Sequence, residues 1–166
     1  MKTSLLLALL LCFPVLGQAA EVDADNRSVE AVVEAFRASI VDKDKPRFIK
    51  LFLDQDTVWQ NVVGEANLRK MRVKNPEAVK ARIDSKDNPT AFIDEIVAEK
   101  ERQEEKFRNV KIDSDGEIAS VYFDYSYHAG DKETNHGKEA WHLVRTDDGW
   151  KIVSVIWSVN WTPAEG

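Results

Sequence analysis

The chain has 166 residues, 43% of them hydrophobic, and a formal net charge of −6. That length suits one domain around one core. With no long basic block, it offers nucleic acid and anionic membranes none of the positive footprint they require.

Residues 1–19 read as a signal peptide. Lys2 gives the positive start, and Leu5 to Leu16 form an apolar run of about a dozen residues, short of the ~20 that a membrane span needs. Gly17-Gln18-Ala19 supplies the small residues of a cleavage site after Ala19. Cleavage takes the net charge to −7 with the loss of Lys2, and removes Cys12, the only cysteine. The mature chain then has no disulfide, no zinc-thiolate site and no cysteine nucleophile. Secretion without cysteines suits the bacterial periplasm, with no membrane contact after signal removal. Residues 20–27 are polar and are expected to be loose.

Ser28 is a helix N-cap. Val29, Val32, Val33, Phe36 and Ile40 follow at the spacing of one helix face. Asp44 and Pro46 open a second helix carrying Phe48, Leu51 and Phe52, ending near Asp54. Thr57 to Val63 is rich in β-branched residues and predicts a strand closed by Gly64. Within the charged segment 65–88, Asn75-Pro76 predicts a helix start, with Val79 and Ile83 as a thin apolar stripe. Asn88-Pro89 starts another helix, with Phe92, Ile93, Ile96 and Val97 on one face. The charge run Glu99 to Lys106 reads as a solvated face or frayed end.

Three turn signals then divide the chain into strands at about 106–113, 117–128, 136–146 and 149–161. Helices first and an antiparallel meander afterwards make an α+β domain over 28–161, with a tail at 162–166. About three helices close one side of a curved antiparallel sheet.

This order of elements, with "DGEIASVYFDYSYHAGDKETNHGKEAWHLVRTDDGWKIVSVIWS" (115–158), resembles the nuclear transport factor 2-like superfamily, in a secreted bacterial form. The last hairpin, 141–158, is its most specific part. The resemblance implies a cone of curved sheet closed by helices around a pocket. Members include ketosteroid isomerase, scytalone dehydratase, polyketide cyclases and binding or dimerisation domains without chemistry. Fold likeness alone licenses no activity.

Pairing His128 with His136 and Arg145 with Trp150 sorts the strands into two faces. One carries Val121, Phe123, Tyr125, Tyr127, Glu139 and Trp141, followed by Leu143, Ile152, Ser154 and Ile156. Its apolar continuity places it inward, under Val33, Phe36, Phe52 and Phe92. A single bulge would swap part of this assignment. The expected ligand wall is Phe36, Trp59, Phe123, Tyr125, Tyr127 and Trp141, with Ser154 and Ile156. The other face carries Tyr122, Asp124, His142, Val155, Trp157 and Val159. Monomers rarely expose so apolar a strip. A sheet-to-sheet homodimer through Tyr122, His142, Val155, Trp157 and Val159 covers it, as the superfamily also implies; cover by the 65–88 segment is the alternative.

Glu139 is the candidate catalytic acid, because a carboxylate on the inner wall loses hydration and its pKa rises. Tyr125 or Tyr127 would donate to a developing oxyanion. Against this, Glu139 can pair with Lys138, Arg145 or Lys151. Asp124 replaces it if the faces are reversed. The three histidines do not converge as metal ligands require, and no cofactor or metal is expected. Three functions stay open. The first is a periplasmic module binding a small apolar or aromatic ligand without catalysis. The second is a cofactor-independent isomerase, dehydratase or cyclase. The third is a dimeric interaction domain with a vestigial pocket.

Overall fold

The computed structural model describes residues 24–54 and 56–163. The expected signal peptide at 1–19 and residues 164–166 of the tail lie outside them. Residues 24–27, expected to be loose, are tied down. Ala24–Asn26 form a 3-10 turn, Asn26 is buried and donates to the Trp150 carbonyl at 2.6 Å, and Arg47 holds Asp25 at 2.8 Å.

Helix α1 spans Val29–Asp42. The Ser28 hydroxyl accepts from the Ala31 amide at 3.1 Å, and Lys43 ends the helix in the left-handed conformation. Helix α2 is the short Lys45–Ile49, capped by Asp44. Leu51, in the turn that ends it, and Phe52 are buried, and Phe52 bridges Ile152 in parallel. Strand β1 spans Val58–Val63 and helix α3 Glu65–Lys74. The structure corrects the expected helix start at Asn75-Pro76. Asn75 ends α3 instead, because the residue before a proline is driven out of the helical region, and its extended backbone stops the run. Val79 and Ile83 are exposed, and α3 buries only Leu68. Helix α4 is Pro89–Ala98, capped by the Asn88 side chain.

Four long strands follow: β2 (Gln103–Ser114), β3 (Ile118–Ala129), β4 (Lys132–Thr146) and β5 (Gly149–Trp161). The sheet order is β1-β5-β4-β3-β2. The late strands form the expected antiparallel meander, and β1 joins the β5 edge in parallel, so the five-stranded sheet is mixed. It curves beneath the N-terminal helices as an open α+β cone. Among the described residues no helix is long and apolar enough to cross a membrane.

The closed end is an aromatic core. The Phe36 ring sits 4.6 Å from Trp141 and 4.8 Å from Phe48, and Phe107 sits 4.2 Å from Phe123. Phe36, Phe123, Trp141 and Ile152 are all essentially inaccessible. These are contacts of a size and geometry that favour aromatic pairing beyond area burial alone.

Two register expectations change. His136 pairs with Ser126, not His128, and Phe123 faces Glu139 rather than Trp141. A slip of two preserves alternation, so β3 and β4 keep the expected faces. In β5 the change matters. Arg145 pairs with Trp150 and Leu143 with Ile152, but His142 then pairs with Ser154 and Trp141 with Val155. One extra residue, Val153, bulges out of β5 and reverses the alternation beyond it.

Candidate functional site

The open end of the cone holds a cavity of about 490 Å³. Strand alternation and the β5 bulge decide what lines it. Trp59 comes from β1, Phe92 from α4, Tyr125 and Tyr127 from β3, and Trp157 from β5. These rings touch in sequence. Trp59 lies 5.1 Å from Trp157 and 5.3 Å from Phe92, and Phe92 lies 6.4 Å from Tyr127. Phe36 reaches the cavity from the core, while Thr134, Asn135 and Trp161 stand at the mouth.

Two carboxyl groups form the most unusual part of the lining. Glu105 of β2 and Glu139 of β4 each expose 4% of their surface, and both line the cavity. They are hydrogen-bonded to each other. The Trp141 indole N–H also donates to Glu139 Oε1 at 2.5 Å. Burial raises both pKa values, because the low-dielectric interior disfavours the charged form. Burial carries Glu139 to about 7, opposed by the bonds from Trp141 and Glu105. Glu105 rises well above the usual carboxylate range, through burial first and the neighbouring Glu139 charge second. The pair therefore keeps a proton near neutrality, shared between the two carboxyls. Such like-charged partners titrate as a unit.

Tyr125 and Tyr127 are held as neutral phenols. Burial raises their pKa values, and the Glu105 charge adds to it. The Tyr125 hydroxyl is committed to structure, reaching Asn135 Oδ1 at 3.0 Å and the Ser158 carbonyl at 3.1 Å. Gly137 makes that possible. A Cβ there would lie 1.8 Å from the Ser158 carbonyl oxygen, so only glycine lets the β5 backbone come this close. The Tyr127 hydroxyl makes no hydrogen bond among the described residues and is left for whatever enters the cavity.

Of the expected ligand wall, Phe36, Trp59, Tyr125 and Tyr127 line the cavity, as does Glu139. Phe123 and Trp141 lie beneath it in the closed core instead. Ser154 and Ile156 are corrected outright: the Val153 bulge turns them to the outer face, where Ile156 is 43% exposed. The same bulge takes Val155, Trp157 and Val159 from the expected dimer face. Val155 is buried, and Trp157 and Val159 line the cavity. Tyr122 and His142 stay exposed on the outer face. Asp124 is also on that face, bonded to Lys138 and to the Asn109 side chain.

Glu105 is the residue that sequence reading missed. It lay inside a charge run taken for a solvated face. The available signal was alternation. Extending β2 three residues towards its start puts Gln103 and Glu105 on the face of Phe107, and all three turn inward.

The sequence pattern of the SnoaL-like domain matches residues 77–161, just over half of the chain. No curated protein matches the sequence. Solved structures match in fold. An NTF2-like protein of unknown function from Pseudomonas putida KT2440 has a TM-score of 0.55 at 12% identity, covering 78% of this chain and 82% of that one. An NTF2-like superfamily protein from Salmonella enterica serovar Typhimurium has a TM-score of 0.52 at 17% identity, covering 80% and 87%. An NTF2-like protein with a cystatin-like fold from Novosphingobium aromaticivorans has a TM-score of 0.52 at 11% identity, covering 77% of each chain. At these identities the likeness speaks to the fold alone.

Proposed function

Because the chain belongs to the SnoaL-like domain family, within the NTF2-like superfamily, we propose that it is a small-molecule-binding module. Its ligand, apolar or aromatic in body, occupies the cavity between Trp59, Phe92, Tyr127 and Trp157. The carrying observation is the cavity itself: about 490 Å³, aromatic on its walls, with carboxyl, amide and hydroxyl groups among its lining. That is the usual composition of a small-molecule site. An interaction domain with a vestigial pocket would have its interior filled by side chains, and the open volume weighs against it. Native mass spectrometry of protein purified from its own compartment tests the proposal. The expected result is extra mass lost on denaturation. The reading fails if the protein arrives bare and no aromatic small molecule shifts its melting temperature or quenches its tryptophan fluorescence.

One observation favours a catalytic version. Glu139 near pKa 7 is poised as a general base at neutral pH. In that version Glu139 takes a proton from the ligand. The hydrogen bond from Glu105 holds Glu139 as the carboxylate before the transfer, and the Tyr127 hydroxyl donates to the ligand oxygen that gains charge. No cofactor is needed for that step.

Two further proposals concern the protein's setting. The run and cleavage site at 1–19 support secretion to a bacterial periplasm. The outer face, with Tyr122 and Ile156 exposed beside Ala140 and Val62, is the surface through which two copies would pair.

A further inference from the structure

We propose that the ligand of this cavity is an organic cation: an ammonium group carried on an apolar or aromatic body. The proposal rests on the cavity being a binding site and names the class of molecule it takes.

The charge of the lining is wholly one-sided. Glu95 and Glu99 on α4, Glu101 after it, and the Glu105–Glu139 pair all line the cavity, and no lysine, arginine or histidine does. None of these five makes an ion pair among the described residues. Nearby cations are engaged elsewhere. Lys45 holds Asp94 at 2.5 Å and Arg102 holds Glu104 at 2.6 Å, each one residue along from a lining glutamate. Lys43 bonds the carbonyl of Glu99 rather than its carboxylate. An empty cavity ringed this way has a negative potential that its low-dielectric walls focus. An anionic ligand would be repelled.

The second observation is independent of charge. Trp59, Phe92, Tyr127 and Trp157 form a continuous ring wall, and the quadrupole of an aromatic face attracts cations, tryptophan most strongly. Aromatic walls and carboxylates together suit an ammonium with a hydrocarbon body. A bare metal ion fits poorly: among the described residues no three histidine, cysteine or acidic side chains converge as a metal-holding group.

The paired carboxyls add a linkage. The groups facing Glu105 and Glu139 from the packed elements are Tyr125 and Tyr127 on β3, Trp141 on β4, Trp157 on β5 and Glu95 and Glu99 on α4. None is a cation. An arriving ammonium would favour loss of the shared proton, so its affinity rises as pH rises through neutrality.

The test uses three naphthalenes matched in shape: 1-naphthylmethylamine, 1-naphthylmethanol and 1-naphthoate, titrated calorimetrically into the full mature chain. The ammonium is expected to bind about tenfold or more tighter than the alcohol, and the carboxylate more weakly than either. Glu95→Gln with Glu99→Gln, both exposed at the mouth, should cut the ammonium's affinity several-fold and leave the alcohol's unchanged. These surface changes keep the test independent of core folding. Equal binding of alcohol and ammonium, or preference for the carboxylate, overturns the cation inference and leaves the binding site standing. Failure of all three to bind overturns the cation inference; the binding site falls with it only if the protein also purifies bare and no aromatic small molecule shifts its melting temperature.

Discussion

Replacing Glu139 by glutamine should make the protein more stable at alkaline pH, although it alters a buried, hydrogen-bonded residue. The unfolded chain releases the Glu139 proton near the ordinary 4.5, while the folded chain holds it to about 7. Between those values the folded state binds more protons than the unfolded one. Stability therefore falls as pH rises through that window and levels off above it. At about 1.4 kcal/mol per pKa unit, the rise from 4.5 to about 7 amounts to a loss of about 3 kcal/mol. Glutamine keeps the oxygen that accepts from the Trp141 indole and can donate to Glu105, so little is lost on the acid side. It also removes the neighbouring charge that raises Glu105. The assay is urea unfolding followed by tryptophan fluorescence at steps from about pH 4.5 to 8.5. The wild-type-minus-variant difference cancels every shared group except Glu105, whose own shift relaxes in the same direction when the Glu139 charge is removed. Glu139→Gln should match or fall slightly below wild type at the acid end and exceed it by roughly 2–3 kcal/mol at the alkaline end. A difference that stays flat with pH would refute the buried, shared-proton pair.

Phe36→Ala, which removes a ring packed on Phe48, Phe107 and Trp141, should cost roughly 3–5 kcal/mol in the same unfolding assay. Gly137→Ala forces the β5 backbone away from the Ser158 contact. It should destabilise by about 1–3 kcal/mol and free the Tyr125 hydroxyl, seen as a changed tyrosine environment in the near-ultraviolet circular dichroism. Ile156→Asp on the outer face should convert the proposed dimer to monomer in sedimentation velocity without altering affinity for a cavity ligand. An unchanged sedimentation coefficient would remove that face from the interface.

The helix faces, the turn positions and the inward side of β3 were legible because each follows from periodicity and local turn chemistry. Phe36, Trp141 and Ile152 meet in the core as their spacing implies. The open end was less legible for two physical reasons. A bulge is one residue of extra backbone with no strong compositional mark, yet Val153 moved Trp157 and Val159 into the cavity and Ile156 out of it. Glu105 looked like surface because isolated carboxylates seldom survive burial. It is buried here beside Glu139, a residue 34 positions away that only the folded sheet brings near, and burial together with that neighbour pushes its carboxyl towards the neutral form. The helix expected after Asn75-Pro76 does not form and α3 precedes it, because Asn-Pro marks the end of a helix as readily as the beginning of one.

Two buried glutamates in the cavity lining, Glu105 and Glu139, are expected to share one proton near neutral pH. Carbon-13 NMR of side-chain carboxyls, assigned with the Glu105→Gln and Glu139→Gln variants, reads it directly. The pair should release a proton around pH 7, with the Glu105 carboxyl also displaced above the ordinary carboxylate range. Two carboxyls that both titrate near the ordinary 4.5 would contradict it.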